Sequence, residues 1–200
     1  MGRSGGAARI LALTLAVMVC AGGWGRSPGP RRLNVLLIIV DTLRADHLRC
    51  YGHREIQTPN VDALAARGVR FQNVVTCAPV TAPSISSILT STYPTLHGVR
   101  DNELFVLSDS LPRLPSVFGE SGYSTAGFVG SAVLDRRFGF SAGFDHYDDD
   151  MSGQFPVYSP AYVTQVDRLQ GTQRRAADVT RIALEWLERG RDGRPFFCLV

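Results

Sequence analysis

Asn34–Val40 reads NVLLIIV, an unbroken β-rich apolar run that closes on Asp41-Thr42-Leu43-Arg44. A strand with one wet face alternates apolar and polar residues, so an uninterrupted run predicts a strand buried on both faces of a parallel sheet. In open α/β sheets ligands gather at the carboxyl ends of strands, which puts Asp41 where chemistry is expected. Downstream, Thr58 is placed as an N-cap, Pro59 in the first turn and Gly68 as the stop of a helix carrying Val61, Leu64 and Ala65 on one face. Val69–Val75 reads as a second strand, Ser84–Thr90 as a helix opened by Pro83, and Leu111–Glu120 as a helix ended at Gly122. Ser124–Val129 follows as a third strand, Asp145–Asp150 as an acidic turn, Arg174–Arg189 as an amphipathic helix and Phe196–Val200 as a fourth strand. Alternating strands and helices predict a three-layer α/β fold. An end inside a buried strand adds the expectation of an unfinished sheet with an unpaired edge along Phe196–Val200.

The composition bounds the chemistry. At 200 residues and 44% hydrophobic content the chain can bury a core, and disorder throughout is excluded. Every one of the 21 basic residues is arginine, so this stretch holds neither a Schiff-base lysine nor a P-loop lysine. The formal charge of +3 falls when Arg3 and Arg9 are set aside with the leader, which leaves no nucleic-acid surface.

Residues 1–25 have the order of a signal peptide: basic Arg3 and Arg9, the apolar run Ile10–Cys20, then small residues Ala21-Gly22-Gly23. Residues 26–32, with Pro28 and Pro30, read as a linker into a domain over 33–200. An uncleaved leader is the one route to a membrane; otherwise the protein is exported, periplasmic or secreted. Cys50, Cys77 and Cys198 are too few and too scattered for a disulfide framework or a paired metal site, and each is expected as a buried apolar residue.

Three blocks together carry a resemblance: NVLLIIVDTLRADHLRCYG, TPNVDALAARGVRF and TAPSISSILTSTYPTLHGV. In this order and spacing they resemble the N-terminal half of the sulfatase family, in the alkaline-phosphatase superfamily. The resemblance implies an α/β/α alkaline-phosphatase-like fold with a mainly parallel sheet, incomplete at the C-terminus. It also implies a divalent metal ion, calcium first and magnesium, manganese or zinc as alternatives, with a sulfate or phosphate ester as substrate. Asp41 matches the first metal-binding acid, whereas Thr42 stands where the family has a second.

The family's nucleophile is a cysteine in Cys-x-Pro-Ser-Arg, oxidised to formylglycine. Cys77-Ala78-Pro79 invites that match, but counting back from Leu89-Thr90-Ser91 and Tyr93-Pro94 puts the slot at Thr81, followed by Ala82-Pro83-Ser84. A threonine cannot become formylglycine; it can act directly as a metal-activated alkoxide, which makes Thr81 both nucleophile and metal ligand, beside Asp41. Its simpler role is a helix N-cap. Ile85 replaces the family's arginine, and Gly127–Ser131 holds neither the lysine nor the histidine that sulfatases place on the sulfate. Arg44 and His97 match family positions and complete the catalytic candidates, Arg44 on the metal-side anion and His97 bracing its loop. His47, His53 and His146 are expected as loop residues, and Asp148-Asp149-Asp150 as a solvated turn.

Two functions compete: a metal-dependent hydrolase or transferase of sulfate or phosphate esters, the latter in the manner of the superfamily's phosphodiesterases and phosphotransferases, and a non-catalytic relative that keeps the fold. The family's second half supplies an Asp-His pair to the metal, so Asp41 and Thr81 are expected to need further donors to hold an ion that takes about six oxygens. The leader yields a direct prediction: N-terminal sequencing of exported protein finds a start between Ala21 and Arg31, and an intact Met1 in soluble cytosolic protein overturns it.

Overall fold

The computed structural model describes residues 32–102, 104–152, 155–156, 172–190 and 192–200, and Leu33–Val200 forms one compact unit. The leader and linker expected over residues 1–25 and 26–32 lie outside the described residues, Arg32 apart. The elements in chain order are β1 (Val35–Leu37), α1 (Pro59–Arg67), α2 (Thr81–Thr90), α3 (Pro94–His97), α4 (Leu114–Glu120), β2 (Ser124–Phe128), β3 (His146–Asp148), β4 (Phe155–Pro156), β5 (Thr172–Gln173), α5 (Ala176–Glu185) and β6 (Phe196–Leu199). A four-stranded sheet runs β1-β6-β2-β3 with every pair parallel, and β4 pairs antiparallel with β5.

Side chains alternate across β6 and join two cores. Phe197 stacks on Phe118 of α4 at 4.6 Å between centroids, and Leu199 packs with Ala82, Ile85 and Leu89 of α2. Phe196 and Cys198 point to the opposite face, against Val179, Ala183 and Trp186 at and after α5. Helices therefore cover both sheet faces, and the predicted three-layer α/β architecture is observed.

Several expectations need correction. β6 is not an edge strand: it lies between β1 and β2, hydrogen-bonded on both sides, so no unpaired edge runs along Phe196–Leu199. The outer strand is β1, and Leu36, Ile38 and Val40 on one of its faces are exposed because α5 reaches only β2 and β6 among the described residues. Val69–Val75 is no strand, since a strand needs a neighbour's backbone and none of the described residues offers one. Val69, Phe71, Val74 and Val75 are exposed there, and Tyr51 Oη donates to the Phe71 carbonyl at 2.7 Å.

Helix α1 spans the predicted residues, yet Val61 and Leu64 stay exposed. Thr58 makes no cap bond; its Oγ1 accepts from the Arg49 N–H and donates to Asp62, tying the helix start to the Arg49–Tyr51 turn. Helix α4 begins at Leu114 rather than Leu111: Arg113 is extended at φ −130°, ψ 149°, and its guanidinium donates to the Leu107 and Ser108 carbonyls. Helix α5 omits Arg174 and passes into a π-turn at Trp186–Gly190. Within the expected acidic turn, His146–Asp148 is instead a strand paired with β2. Of the cysteines, Cys198 is buried, its thiol pushed up to about 12 by burial, while Cys50 is half-buried and Cys77 exposed.

Helix α2 buries Ala82, Ile85 and Leu89, an i, i+3, i+7 stripe, and ends at Ser91 with φ 55°. That left-handed position favours glycine, because a Cβ there crowds the following carbonyl. Ser91→Gly is therefore expected to stabilise the fold by roughly 0.5–1 kcal/mol, the relieved strain exceeding the added chain entropy, as read from the midpoint of a urea melt.

Candidate functional site

Where β1 leaves the sheet, Asp41 and Thr42 turn the chain, and Thr42 takes φ 57°, a strained value for a β-branched residue. The turn carries the exposed Asp41 to the start of α2. There Thr81 Oγ1 donates to Asp41 Oδ2 at 3.0 Å, a contact between residues forty apart in sequence. Thr81 is the first residue of a ten-residue helix entered through extended Val80, so the positive end of the helix dipole lies beside this pair, while the Ala82 and Ser84 N–H groups are taken by Asn102 and the Val80 carbonyl and Pro83 has none. A cavity of about 390 Å³ adjoins it, with Ile38, Val40, Ile85, Phe128, Leu134 and Val179 among its walls.

The first turn of α2 is fixed from three sides. Ala82 N–H donates to Asn102 Oδ1 at 2.9 Å, Thr76 Oγ1 and Ser84 Oγ lie 3.1 Å apart, and Ser87 Oγ donates to the Pro83 carbonyl at 2.9 Å. His97 stands behind the last of these. Its Nδ1 accepts from Val99 N–H at 3.1 Å, which assigns the proton to Nε2, 2.9 Å from Ser87 Oγ. Burial holds the His97 imidazole below its ordinary pKa, opposed by a hydrogen bond to the Pro83 carbonyl. His97 and Ser87 thus support the first turn of α2, which Thr81 opens.

Of the four predicted site residues, Asp41 and Thr81 meet directly. Arg44 donates both Nε and Nη2 to Asp46, at 2.9 and 2.6 Å, and this exposed pair raises the arginine's pKa and lowers the carboxyl's. No hydrogen bond joins Arg44 or His97 to Thr81 among the described residues. Ile85 is buried in the core, which fits an apolar side chain where the family pattern has arginine.

In the Asp148–Asp150 run the first two carboxylates pair with arginines, and Asp150 accepts from the Ser152 N–H at 2.8 Å. Arg174, itself buried, pairs with Asp148 and donates to the Val129 carbonyl at 2.7 Å; Arg136 pairs with Asp149. Burial opposes the charge on Asp149, but hydrogen bonds from Arg136 outweigh it and hold the carboxyl below its ordinary value. Among the described residues no group of three or more His, Cys, Asp or Glu could hold a metal ion. The Asp41–Thr81 pair offers hard oxygen donors, the kind a divalent cation such as calcium or magnesium takes, and supplies two of them.

The family model for sulfatase matches residues 33–200. The chain belongs to the sulfatase family. Iduronate 2-sulfatase of Mus musculus is 39% identical over 132 residues, covering 64% of this chain and 23% of the relative. The solved structure of a protein in complex with its substrate, D-glucosamine-2-N,6-O-disulfate, is similar at a TM-score of 0.67 and 26% identity, over 84% of this chain and 34% of that one. The phosphonate monoester hydrolase of Agrobacterium radiobacter is similar at a TM-score of 0.61 and 25% identity, over 84% and 40%. The chain thus spans 23% to 40% of the length of these relatives.

Asn102 and Ser87 were not singled out by the sequence, and nothing in their local pattern marks them. Their roles arise from the fold of Pro94–Asn102 back over α2.

Because the folded state lowers the His97 pKa, the unfolded chain binds the proton more readily, and acid destabilises the fold. Stability is full above the ordinary imidazole range near pH 6.5 and is lost as pH falls towards the depressed folded value. Urea midpoints measured from pH 7.5 to 5 are expected to fall for the native chain, and His97→Gln is expected to remove that component of the slope.

Proposed function

We propose that this chain carries the nucleophile side of a metal-dependent ester hydrolase acting on sulfate or phosphate esters outside the cytoplasm, with Thr81 as nucleophile. The observation that supports it is the 3.0 Å hydrogen bond from Thr81 to Asp41 at the N-terminus of α2. The positive end of a helix dipole favours anions, so a sulfuryl or phosphoryl group at Thr81 meets a complementary field. Asp41 and Thr81 would hold a divalent cation, with calcium the first candidate, together with further donors, and the ion would neutralise charge and ease loss of the hydroxyl proton.

In the proposed reaction, Thr81 Oγ forms a bond to sulfur or phosphorus while its proton leaves along the hydrogen bond to Asp41. The bridging S–O or P–O bond breaks, its electron pair departs on the alkoxide, and the alkoxide is protonated from solvent. Water then attacks the sulfur or phosphorus and gives a proton back to solvent, the bond to Thr81 Oγ breaks, sulfate or phosphate leaves, and the proton on Asp41 returns to the threonine oxygen. The names of the relatives favour a sulfated sugar, while the phosphonate monoester hydrolase keeps phosphorus esters in view. The adjoining cavity is mostly apolar in its walls and has room for the part of the ester beside the anion.

The test uses the exported protein with calcium and the p-nitrophenyl sulfate and phosphate esters. Thr81→Ala is expected to lower turnover by at least about 1,000-fold, and Cys77→Ala to leave it nearly intact. Mass spectrometry is expected to find an unmodified thiol at Cys77. Loss of activity in Cys77→Ala with retention in Thr81→Ala overturns the reading.

A further inference from the structure

Seven of the described arginines, Arg44 and Arg174 among them, pair with an aspartate or glutamate. Arg49 and Arg70 are exposed and pair with no carboxylate among the described residues, yet both side chains are held in place. Arg49 Nη1 donates to Gln57 Oε1 at 2.9 Å, and Arg70 Nη1 donates to the Cys50 carbonyl. The Arg70 guanidinium also lies over the Tyr51 ring, 5.0 Å from its centroid. The two arginines line one surface cleft of about 340 Å³, together with Cys50 and with Asp62, Ala65 and Ala66 of α1. None of these residues lines the cavity beside Thr81.

Local sequence builds this cleft. Asp62, Ala65 and Ala66 stand at i, i+3 and i+4, on one face of α1, and the two alanines keep that face low. The Arg49–Tyr51 turn is tied to the helix start by Arg49 N–H to Thr58 Oγ1 and Cys50 N–H to Asp62 Oδ1, at 3.1 and 2.8 Å. Beyond the helix, Arg70 is drawn back to the same turn by its bond to Cys50, and the Tyr51 hydroxyl donates to the Phe71 carbonyl. Asp62 is the one carboxylate of the cleft, and its Oδ1 already accepts from the Cys50 N–H and the Thr58 hydroxyl. Two fixed positive charges thus stand against one negative charge. Nε and Nη2 of both arginines have no acceptor among the described residues.

We propose that this cleft is an oxyanion-binding site, in which Arg49 and Arg70 donate from Nε and Nη2 to a sulfate or phosphate group, free or carried on a polymer. A guanidinium presents planar, parallel donors that match two oxygens of such a group, and bonds to a charged oxygen are about twice as strong as neutral ones. Recruiting an arginine ordinarily costs rotamer freedom. Side chains already held by Gln57, Cys50 and Tyr51 have lost much of it before the anion arrives, so less is lost on binding. The inference rests on no part of the Thr81 reading.

The experiment titrates sodium sulfate, and separately dextran sulfate, into the exported protein labelled with ¹⁵N in arginine, at constant ionic strength, and follows the side-chain Nε–H signals. Those of Arg49 and Arg70 are expected to shift along one binding curve, while those of the exposed Arg54 and Arg67 stay still. Arg49→Gln is expected to weaken binding by about tenfold, the loss of one charge-assisted contact, with the melting midpoint held. Arg49→Lys, which keeps the charge and loses the fork, is expected to recover part of that loss. Tighter binding of dextran sulfate per sulfate group assigns the anion to a polymer; equal or weaker binding assigns it to the free ion, and both outcomes support the site. If Arg54 and Arg67 shift as much as Arg49 and Arg70, the response is bulk charge and the inference fails. It fails equally if neither probe moves the Arg49 and Arg70 signals, or if Arg49→Gln binds as tightly as the native chain. The signals are read in the native chain, so they decide the matter even if a variant does not fold. Each of these failures leaves the Thr81 reading standing.

Discussion

Strand β6 is the element on which the described sheet closes. Asn34 and Phe196 are 162 residues apart, yet Asn34 Oδ1 accepts from the Phe196 N–H at 3.2 Å where the first and last strands come together. With β1 on one side and β2 on the other, β6 fixes the register of both through parallel ladders. Its alternating side chains then recruit α2 and α4 to one face and α5 to the other. Burying a side chain of the size of Phe197 contributes about 1.5–3 kcal/mol, and β6 places Phe197, Cys198 and Leu199 in the interior in succession.

The site inherits its geometry from that register. Val200 N–H donates to the Leu37 carbonyl and Ile39 N–H to the Val200 carbonyl, at 2.9 and 2.8 Å, so the end of β1 is held as it approaches Asp41. On the same side of the sheet, Leu199 packs with Ala82, Ile85 and Leu89 and seats α2 with its first turn toward that strand end. A carboxylate at a strand end and a hydroxyl at a helix start are thereby brought into hydrogen-bond range. Each is fixed by a different element of the fold, so a hydroxyl oxygen, an acid and a helix N-terminus are held together by the tertiary structure.

The segment Pro94–Asn102 is a second layer of the same design. His97, buried and accepting from Val99 N–H at Nδ1, supports Ser87 on one side of the α2 turn, while Asn102 reaches Ala82 on the other. A buried histidine that accepts at Nδ1 and donates at Nε2 serves as a rigid strut, whereas a protonated one would lose its acceptor. The arginines at positions 113, 136 and 174 do comparable work elsewhere, tying loop carbonyls and strand-end carboxylates together. That use of Arg136 and Arg174 is why the aspartates at 148 and 149 serve as ion-pair partners.

The sequence by itself determined the class of fold, because NVLLIIV, the proline-opened helices and the strand-helix alternation are local patterns set by backbone and burial preferences. It also pointed to Asp41 and Thr81 as the candidate pair, since spacing to Tyr93-Pro94 and His97-Gly98 is countable along the chain. What it could not decide is who sits beside whom. A run such as Val69–Val75 has the composition of a strand, but strandhood needs a neighbour, and only the fold says whether one is present. Phe196–Val200 reads the same way as an edge or a centre until β1 and β2 are seen to flank it. Asn102, Ser87 and Arg174 carry no signature because their partners are backbone groups, and every residue has those. Only the tertiary structure, by fixing which carbonyls and N–H groups face these side chains, decided their roles.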